Sequence, residues 1–182
     1  MTQILKVKTV QAVAWKTLIE ALSQMLADAP LEFTPRKERK IKKFVEKKVN
    51  GKLVKEEIIV TEVTGGIRLT ALNPSQSILI NMKLEAEQFD EYICTKNKIV
   101  VGVNLQTLYK ILKNVSNYDT ITFCMDDKNS HKLGIKIEND DKNKRSQTDL
   151  KLMDLDYKDI EIPPATFNSV STISYNSPNQ RT

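Results

Sequence analysis

The sequence predicts an α+β domain, with two helices on one face of antiparallel sheets. Three observations predict it. Only two segments repeat apolar residues at three- and four-residue spacing, while most of the rest alternates with period two between turn signals. The order strand-helix-strands then occurs twice, giving two similar β-α-β-β-β halves without obvious sequence identity. Finally, 182 residues suffice for one good core, or for one domain plus an arm.

Taken in order, Ile4–Lys8 alternates and reads as a strand. Gln11–Ala27 reads as a helix with Trp15, Leu18, Leu22 and Met25 on its apolar face. Thr9 is the expected N-cap, and Pro30 blocks continuation. Leu31–Thr34 is a short strand, and Phe44–Val63 reads as a β-hairpin turning at Asn50-Gly51, where both positions favour positive φ. Gly65-Gly66 punctuates its return. Strands follow at Ile67–Leu72, Ile78–Leu84, Tyr92–Thr95 and Lys98–Asn104, the first two separated by the turn Asn73-Pro74-Ser75-Gln76. Leu105–Asn114 is the second helix, with Leu105, Leu108, Ile111 and Leu112 inward. Thr120–Met125, Lys132–Glu138 and Gln147–Met153 are the last strands. From Asp154 the chain turns acidic and proline-containing, as a linker does.

Composition argues against chemistry. Charged residues at 28% and hydrophobic residues at 40% fit a soluble globular protein, and no apolar run approaches the roughly 18 residues of a membrane helix. The start lacks a signal-peptide core, and two cysteines, Cys94 and Cys124, make no disulfide framework and read as small apolar fillers in a reduced compartment. The single histidine, His131, sits in a polar turn. No His/Cys cluster suggests a metal, and Gly65-Gly66 lacks the Lys-Ser/Thr of a phosphate loop. The expectation is a non-enzyme without cofactor.

The net charge of +5 is concentrated. Between Pro35 and Glu57 ten cations face four glutamates, net +6, which leaves −1 for the rest. Such a block suits a polyanion, nucleic acid first.

Four segments in one order carry a resemblance: Phe89-Asp90-Glu91-Tyr92-Ile93-Cys94; Gly102-Val103-Asn104-Leu105 with Lys110-Ile111-Leu112-Lys113; Lys151-Leu152-Met153-Asp154-Leu155-Asp156; and Ile160-Glu161-Ile162-Pro163. Together they resemble the first domain of the eukaryotic sliding-clamp family, proliferating cell nuclear antigen. The likeness covers roughly 7–33 and 66–170 and omits 34–64, which reads as an insertion.

The resemblance implies a ring around duplex DNA, lined by helices whose lysines face the duplex. Lys16, Lys110 and Lys113 match basic family positions, whereas Thr17 and Ser23 replace two others, a thin lining that suits sliding on sequence-independent contacts. By spacing alone, the same lysines make an ordinary solvated face. A groove for short hydrophobic client motifs is implied at Leu72, Asn73, Gln76 and Ser77, with Ile160, Ile162 and Pro163 on the connector. Gln76 stands where the family usually has His, and Ser77 where it has an apolar residue. Without the resemblance, the connector is a plain linker whose isoleucines pack on their own domain. The edge strand Arg145–Lys151 is implied to pair with the next protomer, with Arg145, Thr148 and Leu150 near the seam; a free edge blunted by Lys144 and Arg145 is the other reading. The insertion, through Lys42, Lys43, Lys47 and Lys48, is expected to be a DNA-contacting arm at the rim opposite the client groove, or else a solvated protrusion.

The expected organisation is a clamp domain at 1–153 carrying the insertion 34–64, a connector at 154–166, and the start of a second domain at 167–182, so that the chain is either a fragment or a one-domain relative. The expected role is a polymerase processivity factor that tethers replication and repair proteins. Its expected partners are double-stranded DNA, polymerase and other motif-bearing clients, and a clamp loader, with a homotrimer at full length and no membrane. It would act in the nucleus, or in a cytoplasmic replication factory if the divergent pocket and insertion mark a viral member. The alternatives are a basic DNA-binding accessory factor that closes no ring and a subunit of a heterotrimeric checkpoint clamp.

Overall fold

The structure, a computed structural model, describes residues 2–49, 52–155 and 160, with backbone alone for 46–49 and 52–56. Its order is β1 (Gln3–Thr9), α1 (Ala12–Met25), β2 (Asp28–Val49), β3 (Lys52–Leu72), β4 (Leu79–Glu85), β5 (Glu91–Cys94), β6 (Ile99–Asn104), α2 (Leu105–Leu112), β7 (Thr120–Asp126), β8 (Lys132–Asn139) and β9 (Lys144–Lys151).

The strands form two antiparallel sheets, ordered β5-β1-β7-β8-β9 and β4-β3-β2-β6. The two expected halves are therefore present and exchange their leading strands. β1 joins the β7-β8-β9 meander of the second half, and β6 joins β2-β3-β4 of the first. One core spans both sheets and both helices, with Leu5, Ile19, Phe33, Leu69, Leu108 and Ile135 fully buried. Trp15 packs into it, its ring 5.1 Å from that of Phe123 and 6.1 Å from that of Phe89.

Several boundaries differ from the sequence reading. Thr9 does not cap α1. The N-cap is Gln11, and the Thr9 hydroxyl instead accepts from the Gln11 N–H at 3.1 Å. Pro30 does not stop α1 either, for the chain is already extended at Leu26, whose side chain is buried. Pro30 lies inside β2, opposite Gly102. Here, burying Leu26 and pairing Asp28 with Asn104 end the helix before proline can.

The hairpin is no separate unit beginning at Phe44. β2 and β3 run on continuously from the core sheet into the arm, paired from Lys37↔Thr64 to Val49↔Lys52. The turn at Asn50-Gly51 lies outside the described residues, between those last partners. At the root, the register slips between Thr34 and Lys37, so Pro35 and Arg36 oppose Gly65, a bulge that bends the ribbon out of the sheet. Gly65 has φ +98, and a Cβ there would sit 2.2 Å from the Pro35 carbonyl oxygen, so glycine is required. The Tyr92 hydroxyl lies within hydrogen-bond range of the Thr34 and Gly66 carbonyl oxygens (3.0 and 2.7 Å) and fastens the root to β5.

Candidate functional site

The helices lie side by side, and cross-links fix their shared outer face. The Tyr109 hydroxyl donates to Glu20 at 2.8 Å. Lys16 reaches across from α1 to the end of α2, where its ammonium donates to the carbonyls of Lys113 and Val115 at 3.3 and 3.4 Å. A cation there complements the negative end of the helix and satisfies carbonyls that have no partner within it. Lys16 is thus partly committed to structure. Lys110 and Lys113 are exposed and have no ion pair among the described residues. The geometry brings all three lysines to one face.

The Gly102-Val103-Asn104-Leu105 segment explains itself in place. A Cβ on Gly102 would meet the Met153 carbonyl at 2.4 Å and the Leu155 side chain at 2.7 Å, because the chain after β9 crosses β6 there and bridges Gly102 to Met153. Asn104 is the N-cap of α2, its Oδ1 accepting from the Thr107 N–H at 2.9 Å while its Nδ2 donates to Asp28 at 2.8 Å. Asp90 likewise secures its segment, its Oδ2 accepting from the Val10 N–H at 2.8 Å.

The loop from Asn73 to Ile78 is organised by one side chain. Asn73 Oδ1 accepts from the N–H groups of Ser77 and Ile78 (2.8 and 2.9 Å), and its Nδ2 donates to the Ser75 hydroxyl at 2.7 Å. Gln76 adopts φ 54 and is exposed with Ser77. Beside this polar loop stand exposed apolar side chains, Leu72 at 41% and Ile78 at 51%, with Leu79 adjoining. The sequence reading missed Ile78 and Leu79 as surface groups, since their strand alternation looked like core. Ile160 is partly buried, whereas Ile162 and Pro163 lie outside the described residues, as do 167–182. Asp28, Asn104, Leu72 and Leu79 lie at one end of this sheet, and Met153 bridges β6 at Gly102, two residues short of that end.

β9 is the outer strand of its sheet, and Arg145 and Thr148 are exposed along it. Leu150 is different. Its side chain is 4% exposed and belongs to the core, so it does not face a seam, and only its backbone reaches the edge. Thr148, two residues away, points to the same face of β9, but the core closes over that face only at Leu150 and leaves Ser146 and Thr148 exposed. At the head of β9, Lys144 donates to buried Asp119 at 3.0 Å, and Asp119 also accepts from Asn139 Nδ2 at 2.7 Å and from Ser116. Burial alone would raise the Asp119 carboxyl, but these hydrogen bonds overturn it and hold the group well below the usual carboxylate range.

The four arm lysines do not form one patch. Lys42 and Lys43 are consecutive on a strand and point to opposite faces, and Lys42 is paired with Glu57 at 2.6 Å. Side chains at Lys47 and Lys48 lie outside the described part. Cys94 and Cys124 are free and half-buried, and burial pushes both thiols up, away from the reactive thiolate. Among the described residues, no cluster of three or more His, Cys, Asp or Glu is placed to hold a metal ion.

Two meanders with exchanged leading strands, covered by one helix pair, define the class as a sliding-clamp domain. Residues 40–161 match the family model described as the proliferating cell nuclear antigen N-terminal domain, and the chain belongs to that family. The match begins at Lys40, so it takes in part of the segment set apart above as an insertion. Among curated relatives, a probable DNA polymerase sliding clamp of Paramecium bursaria Chlorella virus 1 is 25% identical over 170 residues, covering 93% of this chain and 53% of the relative. The proliferating cell nuclear antigen of Chaetomium thermophilum is 36% identical over 111 residues, 61% of this chain and 42% of its own. A probable DNA polymerase sliding clamp of Acanthamoeba polyphaga mimivirus is 28% identical over 189 residues, 94% of this chain and 39% of its own. The chain thus spans about half or less of the length of these relatives.

Proposed function

We propose that this chain is the N-terminal domain and connector of a DNA polymerase sliding clamp, a protein that does no chemistry, encircles duplex DNA and tethers replication and repair proteins to it. The carrying observation is the family match over 40–161, which takes in the second helix and the start of the connector. Lys110 and Lys113, with Lys16 beside them, are the duplex-facing groups. Because Lys16 is held by the end of α2, the lining rests mainly on two exposed cations, a weak and sequence-independent contact that permits sliding.

The client groove is formed by Leu72, Ile78 and the Asn73–Ser77 loop, together with Ile160, Ile162 and Pro163 of the connector. The polar Gln76 and Ser77 give it a client preference of its own. The exposed edge of β9 at Arg145 and Thr148 meets the next protomer, and the full-length protein is a homotrimer opened by a clamp loader. Residues 154–166 are the connector and 167–182 open a second domain. The site of action is the nucleus or, for a viral member, a cytoplasmic replication factory.

The test is retention on DNA. Full-length protein loaded onto circular duplex should remain bound and should leave linear duplex by its ends. Equal dissociation from both forms excludes a topological clamp. Light scattering adds the mass of the assembled ring.

A further inference from the structure

The arm from Lys37 to Thr64 is the largest feature that the clamp reading leaves unused. Thirteen residues per strand, from Lys37↔Thr64 to Val49↔Lys52, give a ribbon roughly 43 Å long at about 3.3 Å per residue. That exceeds the ~34 Å of one duplex turn. Neither face is covered by a further strand or helix among the described residues, although a lone two-stranded ribbon is only marginally stable in water. A partner is therefore called for.

The two faces differ in charge. Over the residues with described side chains, one face carries Lys37, Arg39 and Lys43 beside Ile41, Ile58 and Val60, with Glu62 as its one anion. None of those three cations is ion-paired among the described residues. The other face carries Lys40 and Lys42 against Glu38 and Glu57. Glu57 is bonded to Lys42, and Glu38 to Arg36 at the bulge. The second face is thus internally neutralised, and it presents Phe44 (69% exposed) and Ile59 (68% exposed).

We propose that the Lys37–Arg39–Lys43 face of the arm binds the phosphate backbone of duplex DNA, as a contact separate from the helix-lined face. The proposal deepens the sliding-clamp reading, from which it takes the duplex as the polyanion. Net charge supports it, since the segment holding the arm carries the chain's whole positive excess. Shape supports it as well, because two-stranded ribbons twist strongly and can track a helical backbone. Lys42, spent on Glu57, contributes little.

The experiment measures affinity for a fluorescent linear duplex across a salt series, using this chain and two variants. Each neutralised phosphate contact removes about 0.9 from the slope of log K on log salt. Combining Lys37→Gln, Arg39→Gln and Lys43→Gln should lower the slope by roughly 2 to 3. The control on the other face, Lys40→Gln with Lys42→Gln, should lower it by less than about 1. The charge-keeping variant Lys37→Arg with Lys43→Arg should retain the parent slope, and circular dichroism should show the same strand content throughout. An unchanged slope in the triple variant, or equal losses from both faces, overturns the proposal. Because linear DNA and a salt slope require no closed ring, failure of topological retention would sink the clamp reading and leave this result standing.

Discussion

β2 and β3 each live in two environments. Between Asp28 and Thr34, β2 is backed by helices and buries Leu31 and Phe33, while Ile67 and Leu69 on β3 do the same. Beyond the Pro35–Arg36 bulge the same two strands keep their pairing and, among the described residues, leave the helices and the second sheet behind, so that Phe44 and Ile59 are more than two-thirds exposed. The difference teaches that cross-strand hydrogen bonds set the ribbon's path, while burial sets its contribution to stability.

Substitution of Phe33 by alanine tests this most severely. It should cost about 3 to 5 kcal/mol by denaturant titration, through lost transfer energy and a cavity. A cost below 1 kcal/mol would mean that the core half is no better anchored than the arm.

A second contrast sets Asp119 against the arm pair Lys42–Glu57. Asp119→Ala should cost about 2 to 4 kcal/mol, because it strands buried partners, whereas Glu57→Gln should cost under about 1 kcal/mol as an exposed pair. The pH dependence has a fixed sign. The folded Asp119 carboxyl is depressed, so its stabilisation is complete above the unfolded pKa of about 3.9 and is lost as pH falls toward the folded value. Melting temperatures between pH 6 and 2.5 should drop in the parent and drop less in Asp119→Asn; parallel curves would remove Asp119 from the acid response.

At the junction, Gly65→Ala should destabilise by about 1 to 3 kcal/mol, since it forces a side chain into positive φ and against Pro35. Loss of Tyr92's hydroxyl in Tyr92→Phe should cost about 1 kcal/mol and speed amide exchange around Thr34 and Gly66. Unchanged exchange there would show that the bulge holds itself. Smallest of all, Phe44→Ala should stay within about 0.5 kcal/mol of the parent in the same denaturant titration that reads Phe33.

Much of the site was legible for specific reasons. Leu105, Leu108 and Leu112 at helical spacing placed Lys110 and Lys113 outward, and those three leucines are fully buried. Spacing placed Lys16 opposite Trp15 and Leu22, yet its bond to the end of α2 joins residues 97 and 99 apart in sequence, beyond any local pattern. Leu150 was expected at the seam along with Thr148, yet it alone among the β9 side chains is buried, because the core covers only that end of the edge strand. Lys42 and Lys43 were grouped by charge, although strand alternation separates them.

By itself, the sequence determined the order of elements, the helix faces apart from Met25 (read as apolar-face and 40% exposed), the concentration of charge between Pro35 and Glu57, and the motifs that mark the family, because each depends on neighbours a few residues apart. Only the tertiary structure decided that β1 and β6 trade places between halves, that α1 yields to strand pairing before Pro30, and that the arm grows without a break from the core sheet. Those outcomes depend on which distant strand offers the better partner and the drier face, a competition that local periodicity does not encode.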